Sequence, residues 1–221
     1  MESIRELKIH HLTHIENFKK ILKDKKILSR NELSRNMSDN IPVNTANMEI
    51  INRRGALNDY IPFHLNVLQE REGISYNYAV CKNHHEDSMI FLIFDEELLN
   101  KNTLFSVYHP ASNYNNNRNH SYCGKLNYFK LSLEHFKKEI QTNYSRLFEN
   151  ISDADTPNKR KQFLMSEVLM YKEVDIKFLK EIYVSDYSAK EDVEEILEQE
   201  NLDIPVTVND KFFSSKMSFL F

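Results

Sequence analysis

The stretch His11-Leu12-Thr13-His14-Ile15-Glu16-Asn17-Phe18-Lys19-Lys20-Ile21-Leu22 joins a short apolar strand to an amphipathic helix. Lys8-Ile9-His10-His11 reads as the end of the strand, and from Thr13 the apolar residues Ile15, Phe18, Ile21 and Leu22 recur at three- and four-residue spacing. Thr13 stands where the helix needs an N-cap, and Glu16, three residues on, completes the spacing of a capping box. The junction therefore gathers His11, its neighbour's backbone and the unpaired N–H groups of a helix start, a place suited to an anionic or polar ligand.

Composition narrows what such a ligand site serves. At 221 residues and 41% hydrophobic content the chain holds one core, and no repeat or linker divides residues 1–221. Its 29 basic and 33 acidic residues leave a net charge of −4, so any contact with nucleic acid has to be local. Cys81 and Cys123 stand far apart with no second pair, which argues against a disulfide scaffold or a structural zinc site and for reduced thiols in a cytoplasmic protein. Neither a signal peptide nor a bilayer-spanning run is expected, hence no membrane. Three glycines, at 55, 73 and 124, exclude a Rossmann fingerprint and a P-loop. A dinucleotide would have to bind here without a glycine-rich cradle.

Outward from the first helix, Ile27-Leu28-Ser29 reads as extended and residues 31–47 as a polar loop. Met48 to Arg54 offers a helical turn whose Arg53 and Arg54 either complement the helix dipole or serve a site. Ser88 to Phe94 is apolar enough for a buried central strand. His84, His85, Glu86 and Asp87 precede it, but neighbours on an extended chain point to opposite faces, so no metal is expected. Leu104 to Tyr108 reads as a further strand. The asparagine-rich segment 112–120 offers Asn116 and other amides for base edges, Arg118 for phosphate, and Tyr114, with Tyr122 just beyond, for stacking. A helix capped by Ser132 follows, then the cations Lys159, Arg160 and Lys161. Glu167 opens the strand Glu167 to Tyr171, where a carboxylate is expensive unless solvated or paired, and Glu173 stands six residues on as a second candidate acid. Leu179 to Val184, an acidic helix over 189–200 and Pro205 to Val208 close the chain.

Three of these stretches carry a resemblance. His11-Leu12-Thr13-His14 with Asn17-Phe18 and Ile21-Leu22 is similar to the opening motif of the DarT family of DNA ADP-ribosyltransferase toxins, His-x-Thr-His-x-x-Asn-Leu-x-x-Ile-Leu. Asp59-Tyr60-Ile61-Pro62-Phe63-His64-Leu65 resembles the family's Asp-Tyr-Val-Pro-Phe-Tyr-Phe, shortly after an Ile-x-x-x-Arg element. Glu167-Val168-Leu169-Met170 resembles Glu-Phe-Leu-Val around the family's catalytic acid, with Ser166 in place of the usual Ala. The chain departs from the pattern at Asn66 to Gly73, where the family has Ser-Pro-Met-Leu, so Tyr76 and Tyr78 are alternative walls for that side of the pocket.

The resemblance implies an α+β fold with an ADP-ribosyltransferase-like split central β-sheet and flanking helices. It implies NAD as co-substrate, no metal, and transfer of ADP-ribose to a base of single-stranded DNA in a toxin or phage-defence protein countered by a macrodomain-type antitoxin. It further implies that His11 holds the adenine-side ribose, that the Leu12 backbone and Thr13 orient the nicotinamide end, and that Asn17 and Tyr60 belong to the same site. Arg53 or Arg54 is implied at the pyrophosphate or acceptor, assisting its deprotonation, with Glu167 as the catalytic carboxylate. Asn116, Arg118, Lys159, Arg160 and Lys161 are the implied contacts to nucleic acid. Transfer to RNA or protein, or an inert binding module, are the competing readings. The catalytic reading expects His11 and Glu167 to face one another across one crevice.

Overall fold

The computed structural model describes residues 7–35, 43–45, 48–65, 80–81, 83–110, 126–149 and 156–213. Its centre is a seven-stranded sheet in the order β5-β6-β3-β1-β4-β8-β9. These strands are β1 (Ile9–His14), β3 (Tyr60–Leu65), β4 (Met89–Phe94), β5 (Leu104–Ser106), β6 (Glu167–Tyr171), β8 (Glu181–Val184) and β9 (Val206–Val208). All neighbours run antiparallel except β8 and β9. A separate ribbon pairs β2 (Lys26–Leu28) with β7 (Glu173–Asp175).

The sheet is held unevenly. β1 pairs with β4 from Ile9↔Phe94 to His14↔Met89, and β3 pairs with β6 from Tyr60↔Tyr171 to His64↔Glu167. Between these halves β1 meets β3 only at Ile9↔Leu65 and His10↔His64. Beyond those two rungs the strands have no further paired register, so the sheet divides along the line that begins at His11 and Pro62.

One face of the sheet carries Ile9, Phe63, Leu65, Leu92, Phe94, Val168 and Met170, which form the main core. Helix α1 (Ile15–Asp24) covers it with Phe18, Ile21 and Leu22. Helices Leu133–Tyr144 and Tyr187–Gln199 add Phe136, Ile140, Val193 and Leu197. Each such side chain contributes about 1.5–3 kcal/mol on burial, which is why the periodicity of these segments was readable. β4 is buried at every position, as its unbroken apolar run requires.

The opposite face is apolar in two patches. Leu12, Met89, Phe91 and Ile93 pack with Val80, Cys81 and Phe213, while Leu57, Leu104, Phe129 and Leu169 pack on the other half of the sheet. The same face holds a polar row in which Ser106 stands opposite Glu167, Glu167 opposite His64, and His64 opposite His10. All four are buried.

Local structure differs from the sequence reading in four places. β1 runs to His14, so Thr13 is a buried strand residue opposite Ile90 and the N-cap of α1 is His14, whose Nδ1 accepts from Glu16 N at 3.1 Å. The pull of the β1–β4 ladder outweighs the capping box, and Glu16 pairs with Lys19 instead. Helix α2 (Arg30–Arg35) occupies the start of the expected loop. β5 ends at Ser106, two residues before the expected Tyr108, because the Ser106 hydroxyl turns back to donate to the Tyr108 carbonyl. The strand that opens with Glu167 breaks at Lys172, which takes φ 62°, so Glu173 leaves the large sheet and meets Lys26 in the ribbon. That removes Glu173 from the neighbourhood of Glu167.

Candidate active site

Helix α3 (Met48–Arg54) ends against a 3-10 turn over Gly55–Asp59, and Gly55 sits at φ 50°, a conformation that a Cβ disfavours. The turn drops the last residue of the helix beneath the sheet. Arg54 is 9% exposed and its Nη1 donates to both carboxylate oxygens of Glu167, at 3.1 and 2.9 Å. Its Nη2 is buried and has no hydrogen-bond partner among the described residues. Arg53, one residue earlier, is 62% exposed and pairs with Glu49 on the surface. Geometry thus separates the two arginines that spacing could not.

Glu167 is 1% exposed. Burial pulls its carboxyl upward, but the Arg54 guanidinium, with His64 and His109 behind it, overrides this and holds the group below its ordinary value. His64, directly across the strand pair, is pushed down to about 4, chiefly by burial and against the pull of Glu167. His10, further along the row, is lowered by burial and by His64. His109 places Nε2 3.9 Å from Glu167 Oε1, and burial lowers its value too while Glu167 raises it. At neutral pH the centre is a carboxylate and a guanidinium lined by neutral imidazoles.

His11 lies beside this row and not in it. Its ring packs against Phe63, and Nδ1 reaches the Pro62 carbonyl at 2.9 Å, so Nδ1 carries the proton. Alternation along β1 puts His11 on the α1 side of the sheet and His10 on the Glu167 side. The expectation that His11 faces Glu167 directly is therefore corrected: His64 is the imidazole opposite the carboxylate, and His11 marks the point where the β1–β3 seam opens.

A family model described as ssDNA thymidine ADP-ribosyltransferase, DarT, matches residues 10–214. The chain belongs to the DarT family. It is thereby an NAD-dependent ADP-ribosyltransferase of the single-stranded DNA thymidine class. Among curated proteins none matches the sequence. Solved structures share the fold at low identity. Thermus sp. 2.9 DarT in complex with ADP-ribosylated ssDNA is 21% identical over 94% of this chain and 96% of that one, with TM-score 0.64. The same Thermus protein in complex with NAD+ is 20% identical over 94% and 97%, with TM-score 0.60. Thermosipho africanus DarTG in complex with ADP-ribose is 17% identical and has TM-score 0.65, and the match takes in 93% of this chain but 50% of that one.

Against the DarT pattern the expected residues do not all come together. Glu167 and Arg54 meet, and His11, Leu12 and Thr13 lie along the open part of the seam. Tyr60 lies on β3 across from β1, half-buried, with its ring 5.2 Å from that of Tyr171. Asn17 is engaged elsewhere: its amide donates to the Val43 carbonyl at 3.0 Å and accepts from Val43 N at 2.7 Å. Of the expected nucleic-acid contacts, Asn116 and Arg118, like Tyr76, Tyr78, Tyr114 and Tyr122, lie outside the described residues. Arg160 packs its guanidinium on the Phe148 ring at 5.4 Å and donates from Nε to the Leu147 carbonyl, whereas Lys161 is exposed and Lys159 partly so.

His64 and His109 went unassigned in the sequence reading. Alternation through Tyr60-Pro62-His64 against apolar Ile61-Phe63-Leu65 is the signal that sets His64 apart from the core side. His109 has no periodic signal, because it follows the strand end.

Proposed function

We propose that this chain, using NAD as co-substrate, transfers ADP-ribose to thymidine in single-stranded DNA, with release of nicotinamide, and that it acts as a toxin in the bacterial cytoplasm. The observation that carries the reading is the buried Arg54–Glu167 pair set beside the seam of the sheet. Loss of neutral nicotinamide leaves positive charge on the ribose, and a fixed, ionised carboxylate is the group that stabilises it. No metal is needed, since the developing charge is positive and the leaving group departs neutral. The buried, unpartnered Nη2 of Arg54 fits a polar ligand group brought into the seam.

Around that centre the roles follow from what each side chain has left to offer. With Nδ1 held by Pro62, His11 presents Nε2 as an acceptor for a ribose hydroxyl. Leu12 belongs to the stretch of β1 that has no rung to β3, so its backbone is the group assigned to the nicotinamide amide. Thr13 and Tyr60 are assigned to the same site from the two faces of the sheet, and Asn17 is assigned an indirect role through the Val43 segment that it pins. Arg54, not Arg53, is the working arginine. Lys159 and Lys161 are assigned to the DNA backbone, with a macrodomain-type protein as the antitoxin. Among the described residues no helix is long and apolar enough to cross a membrane.

The test is incubation with labelled NAD and single-stranded DNA, RNA or lysate protein, beside Glu167→Ala. Label on thymidine-containing DNA that vanishes with Glu167→Ala supports the reading. Label only on RNA or protein moves the acceptor, and no label on any of them leaves a binding module. Growth arrest on expression that depends on Glu167 tests the toxin role.

A further inference from the structure

Glu167 opens β6 and Tyr171 closes it, and alternation along the strand brings Glu167, Leu169 and Tyr171 to one face of the sheet. Four residues of extended chain set the ring about 13 Å from the carboxylate. Leu169 between them is covered, since it packs with Leu57, Leu104 and Phe129. Tyr171 is 39% exposed, although β6 has a neighbouring strand on each side. Among the described residues the other exposed large hydrophobic side chains are Met48 and Tyr187, and both lie on helices. A single open ring on a sheet is too small for an apolar partner surface and matches one flat heterocycle.

The ring is held from several sides. Tyr60, directly opposite on β3, sets its own ring 5.2 Å away and packs in turn on the patch of Leu57 and Leu169. Lys172 takes φ 62°, and its Nζ stands 5.3 Å from the Tyr171 ring centroid. Its backbone is pinned: the N–H donates to the Asp59 carbonyl at 2.8 Å, and the carbonyl accepts from Ser29 N at 2.7 Å. On the β5 side, Thr103 Oγ1 donates to Met170 Sδ, and the turn before it closes through Asn102 N to Asn100 Oδ1, with Lys101 exposed at its tip. Lys130, also exposed, follows the turn Leu126–Phe129 that covers Leu169. The nearby acids are matched: Glu32 pairs with Arg35 and lies 3.6 Å from Lys172, and Asp59 is held by Asn31 and Arg35. Lys101 and Lys130 therefore add positive charge around an aromatic face, the combination that tracks a single strand by its phosphates and bases.

We propose that Tyr171 stacks a base of the single-stranded DNA a few nucleotides from the acceptor thymidine, with Lys101, Lys130 and Lys172 on the intervening phosphates. The inference rests on the DNA transfer proposed above, and it gives the acceptor strand a second point of attachment. NAD is assigned to the seam between β1 and β3, whereas Tyr171 stands on β6, across β3 from that seam, with Lys101 further on toward β5. Donor and acceptor thus approach Glu167 over different strands of the sheet. Stacking accepts any base, so Tyr171 sets the register of the strand and leaves the choice of thymidine to the reactive centre.

The experiment uses labelled NAD and single-stranded oligonucleotides with one thymidine, in which an abasic residue is moved through the flanking positions on either side. At one flanking position the abasic residue is expected to lower kcat/KM of the unmodified chain about tenfold, through KM for the oligonucleotide, with KM for NAD unchanged. Tyr171→Ala shows the same loss on the intact oligonucleotide and no further loss when that position is abasic. Tyr171→Phe keeps the flat ring and stays near the unmodified chain, while Tyr171→Leu, apolar but without a stacking face, follows Tyr171→Ala. Lys101→Gln and Lys172→Gln each make oligonucleotide binding less dependent on salt, and an unchanged dependence in both overturns the phosphate contacts. An unchanged KM for the oligonucleotide in Tyr171→Ala and Tyr171→Leu overturns the stacking role, as does a flank in which no abasic position matters. A rise in KM for NAD in its place overturns it too, because the ring then serves the adenine of NAD. Absence of transfer by the unmodified chain overturns the DNA reading and the inference with it.

Discussion

Arg54 and Glu167, 113 residues apart in the chain, meet through a single guanidinium nitrogen that donates to both carboxylate oxygens, with both side chains nine-tenths or more buried. Such a pair ties the end of a short helix to the first residue of a central strand. Removing one member leaves an uncompensated buried charge, which costs about 3–5 kcal/mol. Arg54→Ala and Glu167→Ala are each expected to lower the urea midpoint strongly, while Arg54→Met combined with Glu167→Leu recovers most of the loss. None of the three transfers ADP-ribose. A double variant no more stable than the singles would contradict this account of the pair.

Arg53 provides the contrast. Its ion pair with Glu49 is exposed on both sides and contributes little to stability. Arg53→Ala is expected to keep melting temperature and label transfer near those of the parent, while Arg54→Ala abolishes transfer. A transfer assay on the two variants in parallel decides which arginine the chemistry uses.

Stability should fall on mild acidification, and the sign is set by the imidazoles. His64 binds a proton at 6.5 when unfolded but only at about 4 when folded, so between those values the unfolded chain holds more protons and the native state loses ground. For His64 alone the loss across that window is on the order of 3 kcal/mol. His10, His11 and His109 act in the same direction. Glu167 adds its own loss as pH falls from its ordinary value of 4.5 through its depressed folded value. Urea midpoints measured at pH 7 and pH 5 should differ clearly, and His64→Phe should narrow the gap.

Asn17 offers a graded test of the indirect role proposed for it. Asn17→Asp keeps the acceptor for Val43 N and loses the donor to the Val43 carbonyl, whereas Asn17→Ala loses both. At about 1 kcal/mol per hydrogen bond, the effect on melting is small. KM for NAD is expected to rise in the order parent, Asp, Ala with kcat little changed. A fall in kcat at constant KM would place Asn17 at the chemistry itself.

Much of this is legible in the amino-acid sequence. β4, α1 and the helix capped by Ser132 follow from periodicity and cap chemistry alone, and Glu167 stands out because a carboxylate opening an apolar strand needs a partner. The partner's identity was not legible, because a seven-residue helix does not announce which of two adjacent arginines turns inward. Thr13 stands in β1 and not at the helix cap for a related reason. A local capping signal competes with a ladder whose other strand lies more than seventy residues away, and the ladder prevailed. His64 was visible in a quoted motif, but its meaning depends on which strand lies alongside, and pairing partners are a property of the fold. His109 is held by the bond from its backbone N–H to the Gln162 carbonyl, which no spacing rule encodes.

The two-rung junction between β1 and β3 makes the most sparsely paired line of the sheet run beside the Arg54–Glu167 pair. Successive N–H groups of a strand point to opposite edges, so whichever of Leu12 and Thr13 turns its amide away from β4 should exchange with solvent faster than the amides of β4 and β6. A molecule that bridges the line stiffens both halves at once, so an inhibitor shaped as a clamp across it gains more than one that fills either side alone.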